Sequence, residues 1–131
     1  MGRVFVAESS DPSEALETLE PIARIAFDGV YFYLLGDIQD LHEATGQLIH
    51  PQTNAFFRGD DLDELERVLA GAFEPAVCRP AEWDQEAGTG QGGEVLYQRT
   101  SRSEVISFLR SLAGAARSAR QRNAGVLFWG E

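Results

Sequence analysis

The chain has 131 residues, 44% of them apolar and 24% charged, with 11 basic against 21 acidic side chains and a formal net charge of −10. That is the make-up of one globular domain spanning 1–131 rather than of a disordered or collagen-like chain, and at this length roughly two thirds of the unfolded surface is buried without help from disulfides or a structural metal. The longest wholly apolar run, Val30 to Leu35, is far short of the ~18–20 residues of a membrane span, and Met1-Gly2-Arg3 leads into only four apolar residues, so neither a spanning helix nor a secretion signal is expected.

Along the chain, Arg3 to Ala7 reads as a strand from its β-branched and aromatic content. Asp11-Pro12-Ser13-Glu14 has a helix-start signature: a capping Asp, Pro at the first helical position and Glu three residues after the cap. Ala15, Leu16, Leu19, Ile22, Ala23, Ala26 and Phe27 follow at the spacing of one helical stripe, with a kink or break expected near Thr18 to Glu20 because Pro21 removes a donor and crowds the preceding turn. Val30 to Leu35 lacks alternation, as a central strand covered on both faces would. Gly36-Asp37 opens a short helix with Ile38, Leu41 and Ala44 inward, closed by Gly46 in the left-handed conformation. Gln47 to His50 and Asn54 to Phe57 read as two extended pieces of a hairpin around Pro51-Gln52-Thr53. Asp60 or Asp61 is expected to cap a helix whose stripe is Leu62, Leu65, Val68, Leu69, Ala72 and Phe73.

Between 74 and 94 the patterning fades among Pro75, Pro80 and a run of glycines, and a mobile loop is expected. Glu94 to Tyr97 reads as a short strand. Ser101-Arg102-Ser103-Glu104 is a second capping box opening the longest helix, which ends near Asn123-Ala124-Gly125, and Val126 to Trp129 closes the chain as a strand inside the sheet. Interleaved strands and helices imply an α/β or α+β domain, with a mixed sheet of about five strands and about four helices packed on it.

Charge and motifs narrow the chemistry. All basic residues are Arg, so a Walker-A loop, a Schiff-base enzyme and a kinase-type lysine are excluded. Residues 1–94 carry 19 acidic and 5 basic side chains, a net of −14, whereas 95–131 carry 2 and 6, a net of +4. The overall field repels phosphate backbones and favours a cationic partner, so nucleic acid and membrane are not expected as partners. Along the last helix, Arg102, Arg110, Arg117 and Arg120 lie broadly on one side, as a solvated face or as a contact for an acidic surface or phosphate. Gly88-x-Gly90-x-x-Gly93 matches a dinucleotide fingerprint in letters but is followed by a strand where that motif needs a helix. His42-Glu43 lacks the second ligand of a zinc-protease helix, since residue 46 is Gly. Asp37, Asp40, His42, Glu43 and His50 have no recognised metal spacing, and neither a metal nor a cofactor is expected. Cys78, the lone cysteine, has no nucleophile context, reads as a buried or inert thiol and suits a reducing compartment.

The stretch Asp40 to Pro51, leading to Phe56-Phe57 and Asp61-Leu62-x-x-Leu65, and the stretch from Glu82-Trp83 through Tyr97 to Val126-Leu127-Phe128-Trp129-Gly130-Glu131 together resemble small bacterial immunity proteins of contact-delivered toxin systems. The resemblance is one of layout, covers roughly residues 30–131 and departs at the acidic segment around Trp83, where a more apolar one is usual. It implies a cytoplasmic, non-enzymatic protein that binds a cognate basic toxin. The contact surface expected on this reading is Asp60, Asp61, Asp63 and Glu64 together with Trp83, Asp84 and Glu86. The alternatives are a small enzyme using His42 and His50 with nearby carboxylates, and a homo-oligomeric adaptor.

Overall fold

Two strands far apart in sequence form the centre of the molecule. β1 (Gly2–Ala7) pairs antiparallel with β6 (Gly125–Trp129), Arg3 opposite Trp129 and Ala7 opposite Gly125. β2 (Ala23–Ile25) flanks β1 and β3 (Ala55–Phe57) flanks β6, which gives the order β2–β1–β6–β3. The computed structural model describes residues 2–130 and, within them, every side chain except those of Glu14, Leu16 and Thr18. A second sheet is the hairpin of β4 (Glu82–Thr89) and β5 (Val95–Ser101). The described residues therefore form a single α/β domain with six strands in two sheets, where one sheet of about five was expected. All pairings among them are antiparallel, so no described strand supplies the parallel half of a mixed sheet.

The period-two geometry of the strands divides the sheet into two faces. Val4, Val6, Val126, Phe128, Ala55 and Phe57 point to one side, where α4 (Asp60–Val77) and α5 (Arg102–Gln121) cover them and α3 (Leu35–Thr45) packs against α4 in the same core. Phe57 and Phe128 meet there edge to face at 5.5 Å. Phe5, Ala7 and Leu127 point to the other side, under Ala15 of α1 (Pro12–Thr18) and the flanking Leu19, Phe56 and Trp129.

Several expected starts and stops are realised. Asp11 caps α1 by accepting from the Ser13 N–H at 3.0 Å and the Ser13 hydroxyl at 2.7 Å, bonds that hold its carboxyl below the usual carboxylate range. α3 ends at Gly46 with φ 75°. Ser101 caps α5 by accepting from the Glu104 N–H at 3.1 Å.

Other expectations are corrected. The helix breaks at Thr18, where Pro21 led a break to be expected, but the stripe does not resume as helix beyond it: residues 23–25 form β2 against β1; Glu14 and Leu16 of that reading lie outside the described side chains. Val30 to Leu35 is not a strand. Gly29–Tyr33 is the short helix α2, capped by Asp28 accepting from the Tyr31 N–H at 3.0 Å, and Val30, Tyr31 and Leu34 point into the core at helical spacing. The hairpin expected over 47–57 does not form, because Ala55 and Phe57 gain more burial beside the apolar β6 than a local turn provides. α4 begins after Gly59, at φ 61°, with no side-chain cap, so Asp60 and Asp61 occupy its first turn instead of capping it. The irregular loop expected over 74–94 holds the end of α4 and the whole of β4.

Candidate functional site

The β4–β5 hairpin joins the body of the protein by one face. On β4, Trp83 points inward, 9% exposed, while its neighbours Glu82 and Asp84 face solvent. The Trp83 ring lies 5.2 Å from that of Tyr33 on α2, and its Nε1–H donates to Gln85 Oε1 at 2.9 Å. The Arg79 guanidinium stacks over Trp83 at 4.4 Å and stands 5.7 Å from the Tyr33 ring. Cation–π stacking of this kind holds a planar guanidinium better than a lysine ammonium would. Burial pushes the Tyr33 hydroxyl above its ordinary pKa, with Arg79 pulling it down and Asp37 pushing it up. On β5 the buried Thr100 faces the same way, and its packing explains Gly29: a Cβ there would come 1.7 Å from Thr100 Oγ1.

The outer face of the hairpin has the opposite character. Glu82, Asp84 and Glu86 alternate along β4 and are all exposed, opposite Ser101, Arg99 and Tyr97 of β5. Arg99 reaches Glu82 at 3.5 Å and Asp84 at 3.4 Å, leaving Glu86 beside Tyr97. Such exposed pairs contribute little to stability. Tyr97 is 65% exposed, and Val95 and Leu96 are 44% and 43% exposed. Since Val95 and Leu96 point to opposite faces, the far end of β5 is uncovered on both sides. The turn is closed by the Gly90 N–H donating to the Glu94 carbonyl at 2.8 Å, with Gly88 and Gly93 at φ 99° and 83°. The glycine motif is thus a hairpin connection leading into a strand.

The sequence-predicted surface divides in two. Trp83, Asp84 and Glu86 share β4, although Trp83 is turned into the core. Asp60, Asp61, Asp63 and Glu64 lie in the first turns of α4, an 18-residue helix about 27 Å long whose far end leads to β4. Asp63 and Glu66 both pair with Arg120 of α5, and Glu64 pairs with Arg67 at 2.7 Å. Arg110 of α5 stands 5.7 Å from the Phe73 ring, and Arg102 donates to the Arg79 carbonyl at 3.1 Å, so these arginines dock onto neighbouring elements.

The two histidines are used differently. His42 is exposed on α3. His50 sits 5.0 Å from the Phe27 ring and 6.3 Å from that of Tyr31, and its Nδ1 accepts from the Gln52 N–H at 3.0 Å. Neither lines the grooves of about 590 and 660 Å³ along α5 or the groove of about 450 Å³ between α4 and α5. Among the described residues no group of three or more His, Cys, Asp or Glu is placed to hold a metal ion, and no helix is long and apolar enough to cross a membrane. Burial, then the neighbouring Asp40, raises the Asp37 carboxyl above the usual range. Cys78 is exposed at the end of α4 rather than buried.

Comparison with known proteins finds no matching family model, no matching curated protein and no matching solved structure. The exposed apolar residues Val95, Leu96 and Tyr97, expected only as part of a strand, were not among the surface residues expected from the sequence. Their signal was three apolar residues in a row between a glycine turn and a capping box, too short to belong to a helix.

Proposed function

We propose that this protein acts by binding, as an immunity-type inhibitor that neutralises a cognate basic toxin by covering its active surface. The observation that carries the reading is the outer end of the hairpin, where Val95, Leu96 and Tyr97 stand exposed and Glu86 lies beside Tyr97, with Asp84 and Glu82 continuing the acidic face of β4 toward its base. An exposed aromatic with aliphatic neighbours supplies anchor area, and a rim of like charge selects a partner of the opposite sign. The net charge of −10 speeds encounter with a cationic protein at low salt. The acidic first turns of α4 lie too far along the helix to share one small contact with the hairpin, so they steer the partner more than they hold it. Cys78 and the histidines take no part.

The test is co-expression with the protein encoded beside this one in the genome. A complex, protection of growth and an association rate that falls with added salt are expected. Tyr97→Ala should weaken the complex by at least about tenfold, or ~1.4 kcal/mol, as loss of a central aromatic does. Neither complex nor protection with the neighbouring product overturns the reading.

A further inference from the structure

α4 and α5 pack side by side in opposite directions: Arg120 near the end of α5 meets Asp63 and Glu66 near the start of α4, and Arg110 meets Phe73 farther along. The ion pairs bridge the two helices at the first of these places. In the middle, Ala70 and Ala113 are too short to close the space, and a groove of about 450 Å³ opens over the buried Leu69 and Leu109. Phe73 continues the apolar floor, and Val77, exposed, follows at the four-residue spacing of Leu69 and Phe73. The apolar strip therefore spans more than two turns of α4.

The charge on the wall defines what fits. Arg110 and Arg117 both line the groove from α5 and are exposed, two turns or ~10.5 Å apart along the helix axis. Arg67, Arg99 and Arg120 each hold a carboxylate, whereas Arg110 lies only against the Phe73 ring and Arg117 pairs with no described residue. Glu66 is the carboxylate on the wall, and Arg120 already neutralises it; Glu74 follows Phe73 in sequence but does not line the groove. An apolar floor thus lies beside two guanidiniums whose charge is unmatched. Carboxylates two turns apart on a third helix meet both, with apolar residues three and four positions after the first lying over the alanines. Small residues at the contact let helix axes approach to about 8–10 Å. An extended segment fits worse, because ~10 Å of strand is about three residues and puts the two carboxylates on opposite faces. A second copy offering the same face sets its own Arg110 and Arg117 against these.

We infer that the groove between α4 and α5 is a docking site for an amphipathic helix of a partner protein, one that turns apolar residues onto Leu69, Phe73 and Leu109 and sets acidic side chains against Arg110 and Arg117. The apolar floor supplies affinity, and the two guanidiniums supply selectivity and fix where the helix sits along the groove. This site is separate from the hairpin surface and does not depend on the toxin-binding reading.

The test is an NMR titration of the labelled full chain with the peptide Ala-Glu-Ala-Gln-Leu-Leu-Gln-Ala-Glu-Gln-Ala-Leu-Gln, blocked at both ends. It is run at about 0.15 M salt, where the repulsion from the net charge of −10 is screened beyond about 8 Å. Shifts confined to residues 66–77 and 106–117, with the bound peptide helical, are expected. The peptide carrying Lys in place of both Glu should bind at least about tenfold more weakly, and Arg117→Glu, a change at an exposed position, should reverse that preference. Ala70→Trp, also at an exposed position, should fill the groove and abolish binding while the resonances of the four-stranded sheet stay in place. The inference fails if millimolar peptide leaves both helices unshifted, if the shifts fall elsewhere, if the bound peptide is extended, or if the Glu and Lys peptides bind alike. It also fails if α4 and α5 resonances move with protein concentration alone, which would mean that a second copy covers the groove. Tighter binding of dodecanoate than of the peptide at the same residues would overturn it too, in favour of a site for small anionic amphiphiles.

Discussion

The four-stranded sheet and the β4–β5 hairpin are both antiparallel, yet they are built for different ends. In the sheet, Val4, Phe5, Val126, Leu127 and Phe128 are almost wholly buried between helices on one side and α1 on the other. In the hairpin only one face is anchored, through Trp83, Tyr33 and Thr100, while residues 91–99 are exposed throughout. Burial of apolar area stabilises the first region, and the second leaves apolar area unspent on folding. The contrast places the buried, stabilising area in the sheet and leaves the hairpin free for the proposed recognition, and it can be tested residue by residue.

The largest effect should come from Phe128→Ala, which removes a ring packed edge to face on Phe57 in the central strand. A loss of about 3–5 kcal/mol in urea unfolding is expected, and under 1.5 kcal/mol would mean that the sheet is not the stabilising centre. Trp83→Ala should cost about 3 kcal/mol, with faster amide exchange concentrated in the hairpin and α2; uniform loss of protection over β1 and β6 would contradict the division. Ser101→Ala, at the junction of hairpin and α5, should cost about 1 kcal/mol through loss of the cap. Asp37 lies between the regions, on α3 close to Tyr33. Its folded pKa is raised, so the ionised carboxylate opposes folding: the penalty is absent below the ordinary aspartate range and complete once the pH exceeds the raised value. Asp37→Asn should therefore raise the unfolding midpoint at pH 7 and lose that advantage as the pH falls through the aspartate range, and a pH-independent gain would refute this cause. Tyr97→Ala should move stability by less than about 0.5 kcal/mol while weakening the partner complex; destabilisation as large as that of Trp83→Ala would show that the hairpin end is structural.

The same contrast separates what was legible in the sequence from what was not. Signals carried by local backbone chemistry came through: the Asp11 and Ser101 caps, the left-handed Gly46, and the apolar runs of β1 and β6. Readings that needed a distant partner did not. Val30 to Leu35 has strand composition, but the Asp28 cap and the space left by Gly29 beside Thr100 make a short helix the better packing. β4 was hidden by its polarity, although acidic residues at 82, 84 and 86 already carry the two-residue period of a strand with one wet face. The candidate surface was half legible: Asp84 and Glu86 share the exposed face with Tyr97, whereas the role of Trp83 depends on Tyr33 and Arg79, which no spacing in the sequence connects to it.

The position of β6 also bears on how the protein is made. Arg3 must meet Trp129, and β3 reaches β1 only through the strand between them. During synthesis β1 and β3 therefore emerge as two open edges with nothing to join them, and the sheet closes only when residues 125–129 leave the ribosome. Closure over so long a loop is slow. In that interval the nascent chain is most exposed to aggregation, and its need for a chaperone should be greatest just before β6 appears.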